Sequence, residues 1–397
     1  MNIVIVGCGY VTEFYAKTLV NHPELKLAGA YDVKEENADA FCNLFHVRKY
    51  TTLDDVLNDP SVEMILNLTN PRSHYEVTKS SLEADKHVYS EKPLAMDVQE
   101  ARKLVELAKE RDLLLGSAPC SVLGETAQTI WKALREGVIG RVRLVYANFD
   151  DGMIAPKLQP WGWRNAFGAP WPAKDEFEVG CTFEHAGYFL TWLAAFFGPA
   201  KSVTAFASCQ IPNKGIHVDV LTPDFTVGCI EYRDGVVARV TCGLVAPKDK
   251  SLTIIGDDGV IYTKNVRDDA SPVYIRNMPS SGRINSIERR VNRWQQLLEA
   301  RLNWTPWPDG EWHLKRKYPF ARKPSFRGAS RDKPVDFCRG PAEMAAAIRE
   351  NRASRLSAEL GLHITELIES LQYPERFGGR RDIQTTFEPI TPLPWVN

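Results

Sequence analysis

Asn2-Ile3-Val4-Ile5-Val6-Gly7-Cys8-Gly9-Tyr10-Val11-Thr12 is the stretch that decides the fold. Four consecutive apolar residues, Ile3 to Val6, read as a strand covered on both faces, the pattern of a parallel sheet. Gly7 and Gly9 then supply the first two glycines of a dinucleotide fingerprint, with Thr12 in the place of the third, where a small residue still permits close helix packing. Tyr10 and Val11 belong to the same turn and are expected to border the nucleotide. An amphipathic stretch with Phe14, Leu19 and Val20 follows, then a second apolar run over residues 25–31 that ends on Asp32. An acid about twenty positions beyond the glycines is where the adenosine ribose hydroxyls are held. Its carboxylate accepts from a 2′-hydroxyl and repels a 2′-phosphate, so NAD is expected over NADP, with Lys34 nearby softening the preference. The competing account is a tight turn in an α/β domain that binds nothing.

The chain has 397 residues, 44% of them hydrophobic, enough for two domains with sizeable cores. A formal net charge of -1 gives no general attraction for nucleic acid or anionic lipid. There is no run of apolar residues long enough to span a membrane and no leader pattern at the start, which leads to an expectation of a cytoplasmic protein. The 8 cysteines stand singly, without a C-x-x-C ligand spacing, so buried thiols are expected and neither disulfides nor a metal site.

Alternation of strand and helix continues to about residue 120. Residues 62–68 form the next apolar strand and end at Thr69-Asn70-Pro71. Ligands of an open α/β sheet gather beyond the carboxyl ends of its strands, which places Thr69, Asn70, Pro71 and His74 beside the cofactor; His74 has the alternative role of closing the start of a helix. The strand His87-Val88-Tyr89-Ser90 ends in Glu91-Lys92-Pro93, before a clear amphipathic helix over 97–111. There an ammonium can polarise an alcohol oxygen, and Glu91 can orient that lysine or hold a ribose hydroxyl. On residue chemistry alone, Lys92 is either catalytic or a surface residue ahead of a helix.

Gly7-x-Gly9, Asp32, Asn70-Pro71 and above all Glu91-Lys92-Pro93 resemble the glucose-fructose oxidoreductase, inositol dehydrogenase and rhizopine catabolism protein family. The resemblance runs from residue 2 to about 372 and is strongest in the first 120. It implies an α/β protein: an N-terminal Rossmann dinucleotide-binding domain (1–120), then a C-terminal α+β domain (121–372) with a large, mainly antiparallel open sheet carrying the substrate site and an oligomer contact. Strand candidates at 141–148, 201–207, 224–232, 236–244 and 251–256 fit such a sheet, with a hairpin turn at Tyr232-Arg233-Asp234-Gly235. By the same resemblance Lys92 lies beside the nicotinamide and the reactive carbon of a sugar or cyclitol. His185 matches a histidine that takes or returns the hydroxyl proton. The family's acid four residues earlier is Cys181 here, a departure that leaves Glu178, Glu184 or Tyr188 as stand-ins. Read without the resemblance, His185 is a hydrogen-bonded core histidine.

Between Asp150 and Glu178 the tryptophans, prolines and glycines fit no regular element, and Trp161, Trp163 and Arg164 are candidate sugar contacts or plain packing. Cys181, Glu184, His185, Tyr188 and Lys92 complete the expected substrate set. From Tyr262 to Lys333 there are 16 basic and 7 acidic residues, with Trp294, Trp304, Trp307 and Trp312 among them. This is read as an insertion (262–333) that covers the site or reaches a neighbouring subunit, not as a nucleic-acid surface. Residues 334–372 are read as helices packing back on the first domain, and 373–397 as an extended arm over a neighbour; a homodimer or homotetramer is expected.

The reading that follows is an NAD-dependent oxidoreductase acting on a secondary hydroxyl or keto carbon of a carbohydrate or cyclitol, with Lys92 and His185 catalytic and no metal. Two other classes remain: a redox-neutral lyase or glycosidase that oxidises its sugar transiently, and a noncatalytic nucleotide-binding sensor or scaffold.

Overall fold

The computed structural model describes residues 1–278, 286–302, 315–330 and 334–396. Trp304, Trp307 and Trp312 lie outside the described residues.

Six strands form the first sheet: β1 (Asn2–Val6), β2 (Lys26–Tyr31), β3 (Arg48–Lys49), β4 (Met64–Asn67), β5 (His87–Ser90) and β6 (Leu115–Ser117). All pairs are parallel and the order is β3-β2-β1-β4-β5-β6, the doubly wound arrangement, with its switch point between β1 and β4. Every residue of β4 is buried, as is Ile3 to Val6 of β1, because helices cover both faces.

The second sheet has nine strands: β7 (Val142–Asp150), β8 (Ala200–Ser208), β9 (Phe225–Tyr232), β10 (Val237–Gly243), β11 (Leu252–Gly256), β12 (Gly259–Thr263), β13 (Val273–Asn277), β14 (Arg316–Tyr318) and β15 (Arg380–Asp382). Its order is β14-β13-β12-β11-β7-β10-β9-β8-β15, antiparallel except where β10 meets β7. Burial alternates along β9 to β13: one face is covered by helices and the other is half open, with Phe206 and Leu144 exposed on their strands. The hairpin joining β9 to β10 turns at Gly235, whose φ of +83° needs a residue without a side chain.

The helix Ala358–Gln372 joins the two domains. Ala358 and Leu362 pack with Val98, Ala101, Leu104 and Val105 of the first domain, while Leu360, Leu367, Ile368 and Leu371 belong to the core under the second sheet. The close approach is visible at Gly228 of β9, where an added Cβ would lie 2.5 Å from the Leu371 side chain.

Three segments depart from the sequence reading. The irregular stretch holds a single wide turn, Ile154–Leu158, and a helix, Ala173–Val179. Part of the basic insertion is sheet: in β13 the buried Val273 and Ile275 alternate with Tyr274 and Arg276, a period of two hidden by the charge around it. The last segment lies along its own chain rather than reaching out as an arm: β15 pairs with β8, Thr385 N–H donates to Glu366 at 2.8 Å, and Leu393 N–H donates to Gln128 at 2.9 Å. Among the described residues no helix is long and apolar enough to cross a membrane.

The glycine turn yields a paired prediction. Gly7 has φ +97°, and a Cβ there would meet the Leu68 and Thr69 backbone at 2.7 Å; a Cβ on Gly9 meets nothing within 4 Å. Gly7→Ala should cost roughly 2 to 4 kcal/mol in urea unfolding. Gly9→Ala should change stability by less than about 0.5 kcal/mol. Equal losses in the two variants would contradict this account.

Candidate active site

The carboxyl ends of β1, β4 and β5 face a cavity of about 1100 Å³ whose opposite wall comes from the second domain. Hydrogen bonds fix the glycine turn beneath it. Gly7 N–H donates to Tyr31 O at 2.8 Å, Cys8 N–H to the Asp32 carboxylate at 2.6 Å, and the Thr12 hydroxyl to Gly7 O at 2.8 Å. Thr12 thus occupies the third glycine place with a side chain turned back on the loop. Lys34 N–H holds the other Asp32 oxygen at 2.8 Å. Gly9, Tyr10 and Val11 line the cavity, and the open position above Gly9 is where a pyrophosphate can approach the backbone.

At the end of β4, Asn67 accepts from Thr69 N–H and its hydroxyl and donates to His74 O and Thr78. His74 is fully buried, with Nδ1 2.6 Å from Pro93 O and Nε2 3.0 Å from Thr69 O, so it ties this loop to the next one; burial lowers its pKa. Thr69, Asn70, Pro71 and His74 all border the cavity. Glu91 accepts from the Tyr15 hydroxyl at 2.8 Å and from Lys92 N–H at 3.0 Å, and Lys92–Pro93 is a cis peptide.

The Lys92 ammonium meets the Glu184 carboxylate of the second domain. Burial pulls the lysine down, but Glu184 and then Glu176 outweigh it and hold the ammonium above its ordinary value. Burial and the Glu184 charge push the Glu176 carboxyl well above its ordinary value. The ammonium thus stands among acidic side chains of the second domain.

His185 ends the short helix Cys181–His185, whose start is capped by Gln372: its side-chain oxygen accepts from Thr182 and Phe183 N–H at 3.2 and 3.3 Å, while its amide donates to Val179 O at 2.8 Å. The imidazole stacks on Phe149 at 4.9 Å and Tyr188 stacks on the same ring at 5.2 Å. Asp151, just past the end of β7, comes within 3.7 Å of His185 Nε2 and pairs through its other oxygen with Lys250 at 2.7 Å. Burial, with Lys92, Lys250 and Arg267 nearby, outweighs Asp151 and lowers the His185 pKa to about 3. The ring is neutral at physiological pH, the state in which it can accept a proton.

Two family models match the sequence: residues 1–118 fit "Oxidoreductase family, NAD-binding Rossmann fold", and residues 127–262 fit "GFO/IDH/MocA C-terminal domain". The chain belongs to the GFO/IDH/MocA oxidoreductase family. It is 23% identical over 347 residues to an uncharacterized oxidoreductase of Synechocystis sp., covering 77% of this chain and 89% of that one. It is 32% identical over 222 residues to 1,5-anhydro-D-fructose reductase of Ensifer adhaerens, a match spanning 55% of this chain and 62% of the relative. Among solved structures, the aldose-aldose oxidoreductase of Caulobacter crescentus superposes with a TM-score of 0.72 at 17% identity, over 96% of this chain and 99% of the other.

Cys181, expected on the substrate wall, is not on the cavity wall. It is fully buried, its thiol 3.5 Å from Cys242 O on the sheet. Two further expected contacts also fall elsewhere. Trp161 packs over Gly215, where an added Cβ would touch its ring at 2.7 Å, and Arg164 folds its guanidinium onto the carbonyls of Trp161 and Trp163. Gly7 and Asp32 lie behind the turn and do not line the cavity. Trp163, Glu184, His185 and Tyr188 do line it, with Glu91 and Lys92. The sequence reading missed Asp151, Glu176, Lys250 and Arg267. Asp151 and Lys250 flank predicted strands, a position that signals a site at a sheet edge, whereas nothing local marks Gln372.

Between pH 5 and 8 the His185 imidazole should show no titration in NMR, and Asp151→Asn should lower its pKa further, because the carboxylate favours the charged ring. A midpoint near 6.5 would contradict the burial found here.

Proposed function

We propose that this oxidoreductase uses NAD to move a hydride between the nicotinamide and a secondary carbinol or keto carbon of a sugar, sugar derivative or cyclitol. The observation that carries the proposal is the meeting of Lys92, from the nucleotide domain, and His185, from the second domain, on one cavity that continues to the open space over Gly9. The 1,5-anhydro-D-fructose reductase relative supports a polyol-like substrate.

When bound, the dinucleotide supplies the hydride acceptor or donor. The residues of the chain manage binding and the proton. Asp32 retains lone pairs for a ribose 2′-hydroxyl and, with Glu36 nearby, disfavours a 2′-phosphate, the basis for NAD over NADP. The Lys92 ammonium, held by Glu184, faces the carbinol oxygen and stabilises the negative charge that grows there. His185 takes the hydroxyl proton, and Asp151 then stabilises the imidazolium, a role that the family's acid would otherwise fill from the position of Cys181. Lys250 in turn keeps Asp151 ionised.

A second reading, a redox-neutral cycle on a retained dinucleotide, is favoured by one feature. Residues 163–171 reach from the second domain over the glycine turn: Asn165 donates to Gly9 O and Tyr10 O at 3.2 and 3.3 Å, Ala166 N–H donates to Glu13 at 2.6 Å, and the Phe167 ring meets Phe41 edge-on at 5.5 Å. A strap of this kind slows exchange of whatever lies beneath it. Substrate conversion with no net NADH and with dinucleotide surviving dialysis would select this cycle; stoichiometric NADH would select the simple dehydrogenase. For assembly, the half-open face of the second sheet supports a homodimer or homotetramer, and light scattering at the mass of one chain would exclude both.

Lys92→Ala should lower the single-turnover hydride-transfer rate roughly 100-fold with little change in NAD affinity, since it removes stabilisation made mainly in the transition state. Calorimetry should show NAD binding more tightly than NADP. Equal affinities, or full-rate transfer without Lys92, would refute the respective assignment.

A further inference from the structure

Two cations on the cavity wall have carboxylate partners. Lys92 has Glu184, and Lys250 has Asp151. Arg267 also lines the cavity, yet among the described residues no carboxylate comes within ion-pair distance of its guanidinium, and its buried Nε has no hydrogen-bond partner. The guanidinium carbon lies 4.8 Å from the centre of the Tyr188 ring, and the charges of Asp151, Glu176 and Glu91 reach it from beyond ion-pair distance. The buried Nε has no acceptor while the rest of the side chain is partly open to the cavity, and a guanidinium presents paired N–H groups that match a carboxylate.

The position is built rather than incidental. Val266 N–H donates to Lys250 O at 2.8 Å, Lys250 and Asn265 form a bridge between their segments, and the Asn265 side chain accepts from Arg267 N–H at 2.9 Å. Lys250 lies 4.4 Å over Phe149, the ring on which both His185 and Tyr188 stack. Arg267, over Tyr188, and Lys250, over Phe149, thus both border the aromatic group on which the His185 imidazole stacks.

We propose that Arg267, assisted by Lys250, is the receptor for a carboxylate on the substrate, so that the enzyme takes an acidic sugar or polyol in preference to its neutral counterpart. This deepens the proposed function and rests on it. The guanidinium charge also reaches Tyr10 beside the glycine turn, so the dinucleotide's phosphates are the competing source of an anion. The carboxylate is favoured because the unpaired guanidinium sits on the ring next to His185, where the reacting carbinol must lie.

The test is calorimetry on the NAD-bound full chain with matched pairs: glucose and glucuronate, galactose and galacturonate, glucitol and gluconate. In at least one pair the acid should bind roughly tenfold or more tightly than the neutral partner, the range of a hydrogen-bonded charge pair. Arg267→Gln should erase that difference while NAD affinity stays within about twofold, and Arg267→Lys should restore part of it. Lys250→Gln, which should also narrow the difference, serves if Arg267→Gln fails to fold by circular dichroism. Equal or weaker binding of every acid, no acid binding at millimolar concentration, or a preference that survives the variants would overturn the proposal. So would a loss confined to NAD affinity, which would assign the guanidinium to the dinucleotide. Failure of the unmutated protein to bind any nicotinamide dinucleotide would instead bring down the functional reading itself.

Discussion

The contact between the Lys92 ammonium and the Glu184 carboxylate crosses the boundary between the two domains at the wall of the cavity. Neither charge is well hydrated, and taking such a pair out of water is repaid only when geometry is good and the remaining valences are used. Beside the pair, burial and the Glu184 charge push the Glu176 carboxyl well above its ordinary value. The pair therefore does more than anchor a lysine. It couples the angle between the domains to the position of the Lys92 ammonium on the cavity wall.

What holds the domains at that angle is the helix Ala358–Gln372. It contributes one apolar stripe to each domain and ends at Gln372, whose amide spans the break between the helices Ala173–Val179 and Cys181–His185. Gly180, with φ +95°, makes room for it: an added Cβ would lie 2.5 Å from the glutamine amide. A residue near the end of the chain thus sets the orientation of the short helix that presents His185, which explains why a helix without a catalytic group bears on the chemistry.

The nucleotide domain was legible because its signals are local: a buried strand, a glycine turn and an acid at the next strand end, each decided within a few residues. Strand β5 and the Glu91-Lys92-Pro93 turn were equally plain. The second domain was legible only where alternation was clean. β12 and β13 were lost inside charge, and the stand-ins offered beside His185 were Glu178, Glu184 and Tyr188, whereas the carboxylate within 3.7 Å of its Nε2 is Asp151, just past the end of β7 and 34 residues earlier by number. Contacts made between strands across a sheet leave no periodic trace. Trp161 and Arg164 illustrate the converse: residue types suited to sugars were spent on packing and on closing a loop.

Cys8 N–H donates to the Asp32 carboxylate, so the acid on which the proposed NAD preference rests is also a strut of the glycine turn. Under that proposal, discrimination between the two nicotinamide dinucleotides and the shape of the turn share one side chain. A replacement that removes charge but still accepts from Cys8, such as Asn or Ser, leaves the turn supported, whereas Ala or Gly strips an acceptor from a buried N–H as well. Under that proposal a route from one dinucleotide to the other runs through small polar residues, and the shortest path on paper, deleting the acid, is the one the backbone resists.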